Sequence, residues 1–441
     1  MAHFNRLWVT PVLLLTTSSA APAATLTAQQ ILQQFNAVIF NNFTTRSGVE
    51  GRTVVGGDMT GGASFDINLR AAQTSAYGAL TVWGNQTSST QYNINNGGDS
   101  SPTNNAGVVV GGSNAGGFTL NGYGDIYVGG ASTNAGQTQS AARGNVTAGG
   151  GNSGDISAGG SVFINGTNSG TINAGTGTVS INGTNTGTIN NASAAVKING
   201  DTGNVSINNA PLTYSGNKTG SVNATGSSTV THASVTLAAP ASPLGAFAAT
   251  FKDTLTALST SLKNVAADGK STAASGLVSG TQTETITARP NASGQAVLAV
   301  NTSYFQPNSN VVINLNGATS VIINVNVDTC SGTTCNYTFA SSTHFMNDAT
   351  YADKVVWNFA NATGLNFNTM FGGTVLAPLA SVTNVTPIEG TLIAASFTGG
   401  GELHSYSYTG SFPSSGSTSV PEPSSALLFG LAFAALSARR R

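Results

Sequence analysis

Three copies of one tripeptide stand 17 residues apart: Ile164-Asn165-Gly166, Ile181-Asn182-Gly183 and Ile198-Asn199-Gly200. Between them, Gly170-Thr171-Ile172-Asn173 and Gly187-Thr188-Ile189-Asn190 keep the same interval of 17. Val205 and Val222 extend this second series after a slip of one residue. Each unit carries one or two aliphatics, too few to bury a core alone. Stacking similar coils aligns them into a continuous one. The spacing predicts a β-solenoid with repeats over about residues 144–225, short sides and a roughly triangular section. Ile164, Ile172, Ile181, Ile189, Ile198 and Val205 should point inward. Glycines are expected at the corners, where positive φ suits them. Asparagines at equivalent sites are expected to ladder from coil to coil. Upstream, Gly154-Asp155-Ile156-Ser157-Ala158-Gly159-Gly160 echoes Gly124-Asp125-Ile126-Tyr127-Val128-Gly129-Gly130. A disordered Gly/Asn/Thr/Ser linker is the rival reading, and the strict spacing of the aliphatics argues against it.

Charge narrows the function classes. Charged residues are 7% of the chain and the formal net charge is −1, where about 25% charged is ordinary. Such a surface has no electrostatic pull on nucleic acid or acidic lipid, so no nucleic-acid partner is expected. The 55 glycines, with Asn, Thr, Ser and β-branched residues, suit short strands joined by tight turns. The two cysteines, Cys330 and Cys335, flank a Ser-Gly-Thr-Thr segment that reads as a hairpin tip. In an exported protein they are expected to form a small disulfide-stapled loop, free thiols being the alternative. A lone C-x4-C pair is not a zinc site.

Both ends read as addresses. Residues 1–23 combine Arg6, an apolar run from Leu7 to Leu15 and a small-residue Ala21-Pro22-Ala23 end, the layout of a cleaved secretory signal. A buried N-terminal helix is the weaker alternative, because Pro11 interrupts it. At the other end, Val420-Pro421-Glu422-Pro423 precedes a charge-free stretch, Ser424 to Ala438, and then Arg439-Arg440-Arg441. As a helix, Pro423 to Ala438 would reach only about 24 Å, against a hydrocarbon core of roughly 30 Å. This tail closely resembles the PEP-CTERM sorting signal of Gram-negative bacteria. The resemblance implies an exosortase-type processing partner, transient anchoring in the inner membrane, and delivery to the outer surface or extracellular matrix. An ordinary C-terminal transmembrane helix is the bland alternative. The exported body is then 24–412, with 413–419 as linker and 420–441 as the signal.

Two helices interrupt the β pattern. One is expected over Ala28 to Asn41, on the apolar stripe Ile31, Leu32, Phe35, Val38 and Ile39. The other is expected over about 243–266, capped by Ser242, started by Pro243 and ended by Gly269. Its stripe of Leu244, Phe247, Phe251, Leu255, Leu258, Leu262 and Val265 must lie on something apolar, most simply the solenoid flank. Strands follow at Val311–Asn316, Ser320–Asp328 and Lys354–Phe359.

Lys354-Val355-Val356-Trp357-Asn358-Phe359, Phe371 to Pro378, Ile388 to Ala394, Gly401-Glu402-Leu403-His404 and Tyr408-Thr409-Gly410 resemble the choice-of-anchor A domain. So do Phe35 to Ile39 and Val49 to Asp58. The resemblance brackets almost the whole body and is weakest over the glycine-rich middle. It implies an exported module joined to a surface anchor. More loosely, a long helix beside a β-solenoid is similar to bacterial ice-binding proteins, a likeness of fold.

Catalytic constellations are sparse. Neither H-E-x-x-H nor G-x-S-x-G is present. No catalytic set, metal site or cofactor is expected. Glu402 and His404 share one face of a strand, where they could bind a metal or share a proton. A structural hydrogen-bonded pair near the last coil is preferred. Asp125 and Asp155 miss a calcium-repeat register and read as turn caps. Trp83, Tyr123 and Tyr127 could stack on sugars, although isolated aromatics are more often packing residues. Three functions remain. A non-catalytic surface adhesin or matrix scaffold, with exopolysaccharide or other biofilm components as partners, is favoured. The alternatives are an ice-binding protein using rows such as Thr171 with Thr188 and Asn173 with Asn190, and an exopolysaccharide-active enzyme.

Overall fold

The structure is a computed structural model that describes residues 26–62, 64–66, 75–95, 107–133, 136–191, 193–244, 247–265, 272–274, 282–346 and 348–413. The expected signal peptide and sorting tail lie outside these residues. The described chain is mainly parallel β-structure arranged as β-solenoid coils. It forms two compact units, one from residues 74–91 and 100–250, the other from 28–73, 92–99 and 251 onward.

In the first unit each coil contributes to three parallel columns. One column stacks Leu80–Val82, Val108–Val110, Ile126–Val128, Val146–Ala148, Val162–Ile164, Val179–Ile181 and Val196–Ile198. A second stacks Gly117–Leu120, Thr138–Ala141, Asp155–Ala158, Thr171–Ala174, Asn185–Asn191, Thr202–Asn208 and Val222–Thr225. Single bridges through Gln86, Asn114, Ser132, Asn152, Asn168 and Asn185 form the third. The 17-residue step holds from Val162 through Val179 to Val196. Earlier steps are 20, from Ile126 to Val146, and 16, from Val146 to Val162. Strand columns fix the coil, and the turns absorb the extra residues.

The register places the aliphatics as expected. Ile164, Ile172, Ile181, Ile189 and Ile198 are fully buried and Val205 nearly so. Each such side chain gains about 1.5–3 kcal/mol from burial. Inside the third column, the Asn152 amide donates to Asn168 Oδ1 and the Asn168 amide to Asn185 Oδ1, both at 2.8 Å. Outside, Asn182 donates to Asn165 and Asn199 to Asn182, both at 3.0 Å. Both ladders bond coil to coil without adding charge.

One expectation fails in this unit. The repeat glycines Gly166, Gly170, Gly183, Gly187 and Gly200 do not have positive φ; of the described glycines here only Gly124, Gly136 and Gly226 do. They are glycine because coils approach closely. A Cβ on Gly170 would sit 1.9 Å from Gly154 O, and one on Gly187 2.1 Å from Gly170 O. The two similar Gly-Asp-Ile segments stand in different columns: Ile126 pairs with Val146 in the first, whereas Ile156 pairs with Ile172 in the second. The motif is one local solution, a turn running into a strand, used on different sides.

The second unit is also built of parallel columns, but its order in space departs from chain order. Gln295–Asn301, Ser320–Asn326, Val355–Asn358, Thr374–Asn384 and Leu392–Gly399 stack in turn. Ala37–Ile39 then pairs with Leu392–Ala394 on one side and Thr53–Val55 on the other. An N-terminal strand is thus held between the last coil and its own successor. This corrects the first helix, which spans Ala28–Gln34 and not the expected stretch to Asn41. Val38 and Ile39 are β-branched, and two flanking strands offer them more than continued helix would. The long helix runs Phe247–Asn264. The expected start at 243 is not helical, although Ser242 Oγ accepts from the Leu244 amide at 3.2 Å; the expected terminator, Gly269, lies outside the described residues. Within this unit Phe251, Leu255, Ser259 and Leu262 face inward. Phe251 meets Phe35 edge-on, Ser259 Oγ donates to Asn358 Oδ1 at 2.6 Å, and the Asn324 amide caps Leu262 O at 2.8 Å. The core is aromatic: Phe305, Phe339, Phe345, Trp357, Phe367 and Phe371 form one web of ring contacts. Among the described residues no helix is long and apolar enough to cross a membrane; the expected C-terminal apolar helix lies outside them.

Candidate functional site

The second column of the first unit presents the most regular surface. Strand alternation sends Ile172, Ile189 and Val205 inward and their neighbours outward. One outward rank pairs Thr119 with Ser140, Ser140 with Ser157, Ser157 with Asn173, Asn173 with Asn190, Asn190 with Ser206 and Ser206 with Asn223. All seven are small, polar and uncharged. Two residues earlier along the strands runs a second rank, where Thr171 pairs with Thr188 and Thr188 with Asn204. Adjacent strands set rungs about 4.8 Å apart, and the two ranks lie roughly 6.7 Å apart along each strand. The Asn190 amide donates to Asn173 Oδ1 at 3.3 Å, which fixes both side chains. The Thr171/Thr188 and Asn173/Asn190 rows expected from the sequence are therefore in register. The sequence reading missed that Thr119, Ser140, Ser157 and Ser206 continue them. The irregular coil lengths hid those positions from a fixed 17-residue count.

In the second unit His404 gathers carboxylates from its own coil and from neighbouring ones. Its Nδ1 lies 2.6 Å from Glu389 Oε1 and its Nε2 2.9 Å from Glu402 Oε2, with Glu50 Oε1 at 3.9 Å. Parallel pairing of Ile388–Glu389 with Leu403–His404 and the Val49–Leu403 bridge bring these residues level. Backbone neighbours lock the group: Glu50 Oε2 accepts from the Ser405 amide, and the Asn36 side chain donates to the carbonyls of Gly390 and His404. The hydrogen bond to Glu389, helped by Glu402 and Glu50 and opposed by burial, raises the His404 pKa from 6.5 to about 9. The imidazolium is thus charged at neutral pH and bonded through both ring nitrogens. Neither nitrogen is left to act as a base. Among the described residues no group of three or more His, Cys, Asp or Glu is arranged to hold a metal ion. Glu402 alone was paired with His404 from the sequence. Glu389 and Glu50 come from other coils, and only the coil register could have revealed them.

The remaining candidates separate. Asp125 Oδ1 accepts from the backbone and side-chain amides of Asn145, at 2.7 and 3.1 Å, a cap on the next coil. Asp155 is exposed at the head of its strand. Cys330 and Cys335 are disulfide-bonded around a turn closed by the Ser331–Thr334 bridge. Trp83 and Tyr127 line one groove, whereas Tyr123 stacks under Arg143, whose guanidinium carbon is 5.1 Å from the ring centre. Val420, Pro421, Glu422, Pro423 and Arg439 to Arg441 lie outside the described residues.

Residues 28–77 and 141–405 match the family described as an ice-binding-like adhesive domain. Residues 419–441 match the PEP-CTERM protein-sorting motif. Among solved structures, the crystal structure of an ice binding protein from an Antarctic bacterium of the Flavobacteriaceae is similar at 12% identity, over 84% of this chain and 81% of that one, with a TM-score of 0.21. No curated protein matches the chain.

Proposed function

We propose that this chain, which belongs to the ice-binding-like adhesive domain family, is a non-catalytic surface adhesin or matrix scaffold that binds through its ranked Thr/Ser/Asn face. The observation that carries the reading is the outward rank from Thr119 to Asn223, seven small polar residues on successive rungs. Each rung offers a similar donor and acceptor set, so weak contacts to a repeating polymer add up by multivalency. The absence of charge on the rank removes repulsion from neighbouring chains. The PEP-CTERM motif implies processing by an exosortase-type enzyme. We take 1–23 as a removed signal, 24–412 as a choice-of-anchor A body, 413–419 as linker and 420–441 as the sorting tail held briefly in the inner membrane. Replacing Pro421 and Pro423 by Ala should then leave a longer, membrane-retained form.

The experiment is attachment. Asn173→Asp with Asn190→Asp places two adjacent like charges on the rank and should lower surface attachment of cells while leaving the melting temperature near wild type. Unchanged attachment would overturn the reading. Ice binding is the second reading, favoured by the in-register pairs Thr171 with Thr188 and Asn173 with Asn190. Thermal hysteresis of the purified protein, lost in the same double variant, would select it over adhesion.

A further inference from the structure

The first unit also holds a groove on a different side from the ranked face. It lies over the outer surface of the first column and encloses about 610 Å³. That is the size of a small-molecule or polymer-segment site. Its walls carry four aromatic rings: Tyr77, Trp83, Tyr127 and Phe163. Tyr127 and Phe163 occupy outward positions of the same column, joined through Thr147 in register. Two rungs therefore separate them, about 9–10 Å. Pro240 and Pro243 border the groove from the segment that leaves the last coil.

One edge of the groove is polar and fixed. Asp125 Oδ1 is held by both amides of Asn145, Asn145 Oδ1 accepts from the Ser161 amide at 2.7 Å, and Ser161 Oγ accepts from the Thr178 amide at 3.1 Å. Each of these caps ties its coil to the next. They form a ledge whose positions are set before any ligand arrives. Among the described residues that line the groove, Asp125 is the single charged side chain and none is a cation.

We infer that this groove binds a segment of a neutral, hydroxyl-rich polysaccharide. The inference rests on charge complementarity and on the alternation of surfaces. A carboxylate without a cation disfavours anionic polymers. Flat aromatic faces accept the carbon faces of sugar rings, and the Asp125–Asn145–Ser161 ledge supplies acceptors and donors for hydroxyls. Tyr77, Trp83 and Tyr127 keep part of their surface exposed and are the rings a sugar can meet, whereas Phe163 is buried in the groove wall. The occupant differs from whatever the ranked face engages, because the groove is concave and aromatic where that face is a row of small polar groups.

Tryptophan fluorescence gives a direct test. Of the three tryptophans, Trp8 lies in the expected signal, Trp357 is fully buried and Trp83 lines the groove. The mature exported protein is titrated with neutral hexasaccharides of glucose, galactose and mannose, and separately with polygalacturonate. Saturable quenching by at least one neutral hexasaccharide is expected, with little or none from the polyanion. Tyr127→Ala should weaken binding by about tenfold or more, the effect of losing on the order of 1.4 kcal/mol of stacking. Asn190→Asp, on the ranked face, should leave it unchanged, so failure of the groove and failure of the adhesive reading are distinguishable. Tyr127→Phe, which keeps the ring, serves as the second variant and should retain binding. No saturable response to any neutral glycan, or tighter binding of polygalacturonate, would overturn the inference. So would a solution dimer abolished by Tyr127→Ala in a protein that binds no glycan, which would assign the groove to a second copy.

Discussion

Gly187→Ala should destabilise the first unit although alanine is the better residue for almost any ordinary backbone. Gly187 has no positive φ, so conformation does not forbid the change. Space does. A Cβ there would lie 2.1 Å from Gly170 O and 2.7 Å from Ser169 C, where carbon–oxygen contacts normally close no nearer than about 3.3 Å. The coil cannot simply lift away. Thr188 N donates to Gly170 O at 3.1 Å, Thr186 N to Asn168 O at 2.8 Å and Gly187 N to the same carbonyl at 3.2 Å. Relief of more than an ångström of overlap must stretch one or two of these bonds. Each is worth about 0.5–1.5 kcal/mol, and overpacking adds about 1–3 kcal/mol, so the expected loss is about 2–5 kcal/mol. At about 2–4 °C per kcal/mol for a domain of this size, the melting temperature should fall by roughly 4–20 °C. Gly136 supplies the opposite case: its φ is +71° and nothing lies within 4 Å of the point a Cβ would occupy. There Ala should cost about 1–2 kcal/mol and Asn less, because Asn tolerates the left-handed region. At position 187 Asn should be at least as harmful as Ala. Melting curves on the four variants decide it. A Gly187→Ala protein within about 0.5 kcal/mol of wild type, the scatter of ordinary surface changes, or one improved by Asn in place of Ala, would refute close coil contact as the reason for the repeat glycines.

Further outcomes follow from the same geometry. His404 binds its proton more tightly in the folded state, with a pKa of about 9 against 6.5 unfolded, so its contribution is complete below pH 6.5 and is lost as pH rises through 9. The full shift would be worth about 3 kcal/mol; solvent screening of the partly exposed cluster halves that, and urea midpoints at pH 6 and pH 9.5 should show the loss in wild type and not in His404→Gln. Ile181→Asp buries an unpaired carboxylate between Ile164 and Ile198 and should cost several kcal/mol; an unchanged melting temperature would count against the inward register. Reducing the Cys330–Cys335 bond should lower stability by about 2 kcal/mol, since the loop it closes is short, with free-thiol titration confirming the reduction.

The solenoid was legible in the sequence because its signal is additive. Each inward aliphatic repeats at nearly constant interval, and Ile164, Ile181 and Ile198 needed no tertiary information to align. What the interval could not show is where coils change length. The steps of 20 and 16 before Val162 broke the count, so the ranked face was seen at four residues when it extends over seven coils. The first helix was misjudged past Gln34 for a different reason. Ala37–Ile39 has an apolar stripe compatible with helix, and its strand partners come from residues near 393 and 54, far outside any local window. The carboxylates around His404 escaped for the same reason, being neighbours only after coils stack. Trp83 and Tyr127 looked isolated because a solenoid brings together residues one coil apart, not residues one turn apart.

The division of labour between inside and outside explains how a chain with so little charge can still be specific. In a stacked coil the inward residues meet their equivalents above and below, so Ile on Ile and Asn152 on Asn168 on Asn185 fix register from within. An Asn misaligned by one rung would bury an amide without its partner, at about 1–3 kcal/mol. The outward residues carry less of that duty, although the Asn165–Asn182–Asn199 ladder and the Asp125–Asn145 cap still tie coil to coil. They can be all-polar in one column and aromatic in another, as the rank from Thr119 to Asn223 and the groove at Tyr127 and Phe163 are. The second unit obeys the same rule with a topological condition added. Ala37–Ile39 is complete only when Leu392–Ala394 arrives beside it, a pairing across more than 350 residues. Contacts of such separation form late and slowly. The column therefore stays incomplete until residues 392–394 are available to pair, and the sorting motif at 419–441 lies beyond them in the chain.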